Sequence, residues 1–269
     1  MAFLTCTEPK MDKLTKVFNM IFHEGLLTFN PKASKAPVLV QLQAKEADMR
    51  DKKGAIFVVR DKSHFTASGV KGVIMTSKET VLAQVDNFTH FTPNVYRHYE
   101  YADSKHRYIK GFEEKNLQQI NAFVVDIDTK KHTVQDILLA CLDDSIGRPT
   151  IIVETTRGYQ VYFLLTAPFF LTNKTEFRSL KVAKRIADNL KRSLKSVEAD
   201  PFCNDFGFFR MPNSQNIVWS DETAIYNPAT LIDWSVRRDN DINRPLFVVP
   251  TPGAKKISVM DTEWFQALI

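Results

Sequence analysis

Asp126 and Asp128 end an apolar run, NAFVVDID at 121–128, and stand two residues apart. On an extended strand that spacing sends both side chains to one face, where two carboxylates can reach a single hard cation. Oxygen ligands of this kind suit Mg²⁺ or Mn²⁺, particularly when substrate phosphates complete the shell. The pair also reads as a solvated strand end at which aspartates open a turn. Asp200, directly ahead of Pro201, offers a third carboxylate, with simple helix termination as its alternative. Arg210 follows the strand-like FGFF at 206–209 and precedes Asn213 and Asn216. Its planar fork can hold phosphates, or it can pair with Asp200 or Asp205. In TTRGYQ at 155–160, Gly158 permits a tight bend and close approach of a nucleotide, flanked by the donors Arg157 and Gln160. A plain hairpin glycine explains the same residues.

Other chemistries find less support. No GxxxxGK[ST] run marks an ATPase. Serines and cysteines lack the context of a catalytic triad. His64, His90, His98, His106 and His132 lack partners at metal-ligand spacing and read as surface or loop residues. The stretch 87–111 interleaves Tyr, His, Phe and Arg, a composition that fits base stacking and phosphate contact as well as a half-buried loop.

Elements must bring these groups together. Helical periodicity predicts a helix over Met11–Phe29 and a weaker one over Val38–Arg50. AIFVVR at 55–60 and GVIMTS at 72–77 read as strands. NAFVVDID is a strand, Val134–Asp143 a helix, and PTIIVETTRGYQVYFLL at 149–165 two strands joined by a sharp bend. A long amphipathic helix follows over Lys174–Ser196, with Leu180, Ala183, Ala187, Leu190 and Leu194 at helical spacing and Lys181, Lys184, Arg185, Arg192 and Lys195 on the other faces. The order matches a split β-α-β sheet with helices on one side. Beyond Asp221 short elements are scattered, with a turn at Thr251–Gly253. The final EWFQALI is apolar and periodic with no stop signal, which predicts further chain beyond residue 269.

The chain is 269 residues long and 44% hydrophobic, with 9 Gly and 12 Pro, which excludes collagenous and mainly disordered classes. No window reaches the ~18 apolar residues of a membrane helix. Three cysteines (Cys6, Cys141, Cys203) are too few for a disulfide framework, and no secretory signal opens the chain, so a soluble protein of a reducing cytoplasm is expected. The net charge of +5 coincides with Thr172–Glu198, where eight Lys/Arg against three Asp/Glu give 8 − 3 = +5. The charge is therefore polarised, which favours a polyanionic partner on one side of the molecule.

In order along the chain, VVDID at 124–128, TTRGYQ at 155–160 and DPFCNDFGFFRMPN at 200–213 resemble the three motifs of the archaeo-eukaryotic primase/primase-polymerase superfamily. More closely, the chain resembles the N-terminal part of the theta-type replication initiators of broad-host-range plasmids from Gram-positive bacteria. GLL at 25–27, KGAIF at 53–57, TPNVYR at 92–97 and KNLQQINAFVVDID at 115–128 extend that resemblance over nearly the whole chain. It implies an α+β, primase-like fold, with an N-terminal α/β lobe (1–114), an RRM-like split β-α-β lobe of catalytic type (115–225) and an extension (226–269) leading to a further domain. It implies catalytic and metal roles for Asp126, Asp128 and Asp200, with Mg²⁺ or Mn²⁺, and nucleotide contacts by Arg157, Gly158, Gln160 and Arg210. DNA contacts fall to Arg97, Arg107, Lys181, Lys184, Arg185, Arg192 and Lys195. The implied partners are origin and single-stranded DNA, nucleoside triphosphates and host replication proteins, with no membrane. One departure stands out: the second motif usually ends in a histidine, and here that place holds Gln160, which donates a hydrogen bond but carries no charge. An active primase-polymerase, an inactive origin-binding and duplex-melting module, and a metal-dependent phosphodiesterase remain as readings.

Overall fold

The computed structural model describes residues 10–28, 53–171 and 178–238. Along the chain run α1 (Lys10–Phe22), β1 (Ile56–Val59), β2 (Phe65–Thr66), β3 (Gly69–Lys71), β4 (Val73–Met75), α2 (Lys78–Ala83), β5 (His90–Phe91), β6 (Val95–Tyr96), β7 (Glu100–Tyr101) and β8 (Tyr108–Lys110). Then follow β9 (Leu117–Ile127), α3 (Val134–Asp143), β10 (Ile151–Glu154), β11 (Tyr159–Phe170), α4 (Arg178–Ser193), β12 (Phe209–Arg210), β13 (Ile217–Ser220) and α5 (Pro228–Arg238). The expected α+β class is the one observed. The run at Val38–Arg50, the turn at Thr251–Gly253, the terminal EWFQALI and residues 174–177 of the basic run lie outside the described residues.

The central sheet has the order β13-β10-β11-β9-β6, and its ladders are antiparallel. β9 is long because its apolar run finds partners on both sides, and where β11 bulges between Leu164 and Phe169 the Asn94 side-chain oxygen accepts the amides of Asn121 and Ala122 at 2.8 and 3.1 Å. From Ala122 onward the side chains alternate between two cores. Phe123, Val125 and Ile127 pack with Ile137 and Cys141 of α3, with Val182, Ile186 and Leu190 of α4, and with Leu231 and Trp234 of α5. Ala122 and Val124 pack on the other face with Val17, Phe18, Ile21 and Phe22 of α1 and with Ile56, Val58 and Phe91 of a second sheet. The helix α3 begins at a capping box in which Thr133 and Asp136 satisfy each other's backbone amides.

The second sheet, β12-β5-β1-β4, takes β12 from the far end of the chain, while β6 joins the central sheet from the near end. Each part of the chain thus lends a strand to the other's sheet. A small third sheet, β2-β3-β8-β7, lies beside them. The aromatic-basic stretch 87–111 supplies β5 to β8, and its Phe91, Val95 and Tyr96 are buried. Beyond Asp221 the scattered ending resolves into α5, whose Leu231, Ile232 and Trp234 are buried.

Candidate functional site

The three acids meet at one end of β9. Asp126 lies on the same face as Val124, turned toward the second sheet and away from the three helices. Asp128 follows just past the strand end. The chain leaving α4 turns back beside them, since Ala199 bridges Ile127 and the Asp200 amide donates to the Asp126 carbonyl at 2.8 Å. Glu198, at φ 58°, makes that reversal in the left-handed region.

Burial pushes the Asp126 carboxyl up to about 6; the neighbouring Asp128 and Asp200 add to the shift, while a Gln160 hydrogen bond and Arg157 oppose it. Gln160 faces Asp126 across the β9–β11 ladder. Its amide donates to the carboxylate, and its Oε1 accepts the Arg210 backbone amide at 2.7 Å. The Tyr162 hydroxyl donates to the Arg210 carbonyl at 2.9 Å. Strand β12 is thereby fastened to β11 beside Asp126 through both the amide and the carbonyl of Arg210, whose side chain is half-buried.

Arg157 stands on the hairpin tip and donates to Asp128 Oδ2 at 2.7 Å. Gly158 has a packing reason of its own, because a Cβ there would lie 1.8 Å from the Ile127 carbonyl oxygen and 2.6 Å from the Thr129 amide. The hairpin can therefore lie on the end of β9 only with glycine at this place. Asn213 and Asn216 build a turn, with Asn213 Oδ1 accepting the Gln215 and Asn216 amides and Asn216 donating to the Met211 carbonyl at 2.9 Å. Burial pushes the Cys203 thiol beside the acids up to about 11, so it carries no thiolate near neutrality.

Oxygen donors in this arrangement fit a divalent cation chemically, because several carboxylates crowd a place where one of them resists ionising. Their side chains do not close on one point: no group of three or more His, Cys, Asp or Glu able to hold a metal ion occurs among the described residues. Asp128 is turned to Arg157 instead.

The basic residues are dispersed. Arg97 is bound inward, donating to the carbonyls of Leu117 and Leu171. Arg107 pairs with Asp103 at 3.0 Å and lies over the Tyr108 ring. On α4, Lys181, Arg192 and Lys195 (just past its end) are exposed, Arg185 is half-buried, and Lys184 pairs with Glu114 at 2.9 Å. Lys191 is buried against Asp205 at 2.9 Å. The apolar side of α4 covers the sheet face opposite Asp126, with Lys181, Arg192 and Lys195 on the solvent side, while Lys184 and Lys191 are drawn to Glu114 and to Asp205 beside Cys203.

Sequence spacing alone gave no role to His90. It pairs with Arg210 in the β5–β12 ladder, 120 positions away in the chain, and lies half-buried. Burial, then Arg210 and Lys62, lower its pKa to about 4, so its ring is neutral near neutral pH. Its only sequence signal was membership of the aromatic-basic stretch.

No family model matches the chain. It is 40% identical over 278 residues to a replication initiation protein of Bacillus anthracis, covering 96% of this chain and 54% of that one. It is 37% identical over 262 residues to protein RepS of Streptococcus pyogenes and, equally, to protein RepR of Streptococcus agalactiae, covering 94% of this chain and 50% of each. The chain thus spans about half the length of the curated relatives it matches. Among solved structures, the AEP domain of the cyanophage S-2L primase-polymerase aligns with a TM-score of 0.41 and 12% identity, over 66% of this chain and 86% of that one.

Proposed function

From the premise that the chain is homologous to bacterial replication initiation proteins over nearly its whole length, we propose that it is the primase-polymerase-type unit of a plasmid replication initiator. In this reading it binds origin and single-stranded DNA and joins nucleotides at the end of β9. The observation that carries it is the gathering of Asp126, Asp128 and Asp200 beside Gln160 and Arg210, with the Asp126 carboxyl pushed up to about 6. Asp126, Asp128 and Asp200 would hold Mg²⁺ or Mn²⁺. A divalent cation supplies stabilisation of the charge that develops on a transferring phosphate and its leaving group. Arg157 exchanges Asp128 for a nucleotide phosphate, which frees the carboxylate and places a guanidinium on the triphosphate. Arg210 holds a second phosphate. Gln160 keeps the Asp126 carboxylate aimed and ties it to the Arg210 strand, a positioning role.

Template-dependent incorporation of nucleotides with Mn²⁺ or Mg²⁺ is the test. Wild-type protein is expected to extend or synthesise a strand, and Asp126→Ala with Asp128→Ala to abolish this while DNA binding persists. Incorporation that survives the double substitution would remove the site. The second reading, an inactive primase-like module that binds and melts an origin, draws on one observation: Gln160 and Arg157 are both engaged with protein partners. It expects salt-dependent DNA binding and no incorporation by the wild type.

A further inference from the structure

Between the second and third sheets lies a cavity of about 710 Å³, lined in part by Asn204, Phe206 and Phe208 of the segment that follows Asp200. Its walls are aromatic and its mouth is polar. Phe65 on β2, Phe112 after β8 and Phe208 before β12 meet edge to face, with ring centroids 5.2 Å apart for Phe65–Phe208 and 5.4 Å for Phe112–Phe208. His90 meets Phe65 in the same manner at 5.4 Å. The back wall is fixed by the Tyr96 hydroxyl, which donates to the Phe206 carbonyl at 2.8 Å. Phe65 nevertheless remains 36% exposed, on a strand of only two residues at the mouth.

We propose that this cavity is a nucleobase pocket that takes one unpaired base of a single DNA strand, with Phe65 and Phe208 offering ring faces for stacking. Three features select that occupant. Flat aromatic walls accept any base through its π-face. The charges at the rim are divided: Lys62 stands on the side of His90 and Arg210, whereas Glu113, which also accepts from Asn116, and Glu114, which also pairs with Lys184, stand on the other. A nucleotide unit has the same division, with an anionic phosphate at one end and a base whose amino groups donate to carboxylates at the other. The volume falls in the range of small-molecule clefts and admits a whole nucleoside. His90, which lines the pocket, is the ladder partner of Arg210, so the pocket adjoins one of the residues proposed to hold a nucleotide phosphate. The inference rests on the nucleic-acid reading above but not on catalysis.

The experiment uses the full chain without divalent metal and a single-stranded oligonucleotide carrying 2-aminopurine, beside the same strand with an abasic site and free 2-aminopurine deoxynucleotide. Wild-type protein is expected to quench the fluorescence of the strand and to bind the abasic strand about tenfold more weakly, a loss within the range of one base–aromatic stack. Phe65→Ala should lose the quenching and bind both strands alike, and Phe65→Tyr should restore both properties. Unchanged thermal melting of the two variants establishes that they fold. Quenching of the free nucleotide as strong as that of the strand would assign the same pocket to a monomeric nucleotide. Equal wild-type affinity for intact and abasic strands, or undiminished quenching in Phe65→Ala, overturns the pocket and leaves the initiator reading standing. Failure of wild-type protein to bind any single strand overturns both.

Discussion

At the scale of single residues, the site is governed by Asp126 and what opposes its charge. Its folded-state pKa of about 6 stands above the ordinary 3.8, so between these values the folded chain holds a proton that the unfolded chain has released. Stability therefore falls as pH rises through that window, and the penalty is complete above it. Asp126→Asn is expected to raise the melting temperature at neutral pH, by an amount corresponding to about 1–3 kcal/mol, and to change nothing near pH 3. Melting curves across pH check this, and a gain that persists in acid would contradict it. Arg157 is the second lever. Removing its exposed ion pair with Asp128 in Arg157→Ala is expected to strengthen Mn²⁺ binding about two- to fivefold, the usual worth of such a pair. Nucleotide binding should weaken in the same variant. Titration calorimetry of each ligand separates the two effects.

At the scale of elements, the hairpin of β10 and β11 holds the site against β9. Gly158 is its contact point, and Gly158→Ala must push a methyl group into the Ile127 carbonyl. The expected loss is at least about 2 kcal/mol of stability, read by denaturant unfolding. The sequence marked β9, β10, β11 and α3 well, because long apolar runs and a helical repeat are local signals. It read Gly158 as permissive for either a bend or a nucleotide; only the packed hairpin shows which backbone atoms forbid a side chain there. The two-residue strand β5 was not legible, and the strand-like FGFF reading touched β12 only at Phe209. Two residues each carry no periodicity; β5 exists because it pairs with β1 and β12, and β12 because it pairs with β5 across the chain.

At the scale of the whole molecule, the exposed charge sits on a helix packed against the sheet face opposite Asp126. Lys181, Arg192 and Lys195 are its exposed cations. Charge reversal at Lys181, Arg192 and Lys195 is therefore expected to weaken DNA binding and to lower its salt dependence by about one log–log slope unit for each phosphate interaction removed. The rate of incorporation once DNA is bound should stay unchanged. Binding isotherms over a salt series, with single-turnover incorporation at saturating DNA, make the distinction. An unaltered salt slope would place the DNA elsewhere.

The sequence by itself determined the α+β class and the central strands, and it singled out three acids that the fold brings to one end of β9, because strand alternation and motif order are written in consecutive residues. Their environment was decided by the tertiary structure. Asp126 resists ionisation because the second sheet covers it, and Gln160 binds that carboxylate because β11 pairs with β9 in one register. The positive helix runs into Asp200 along the chain, yet its exposed cations lie on its solvent side, and Lys184 and Lys191 are held by Glu114 and Asp205. A helix packed on one face of a sheet cannot present its solvent side to the other, and no run of residues states which face that is.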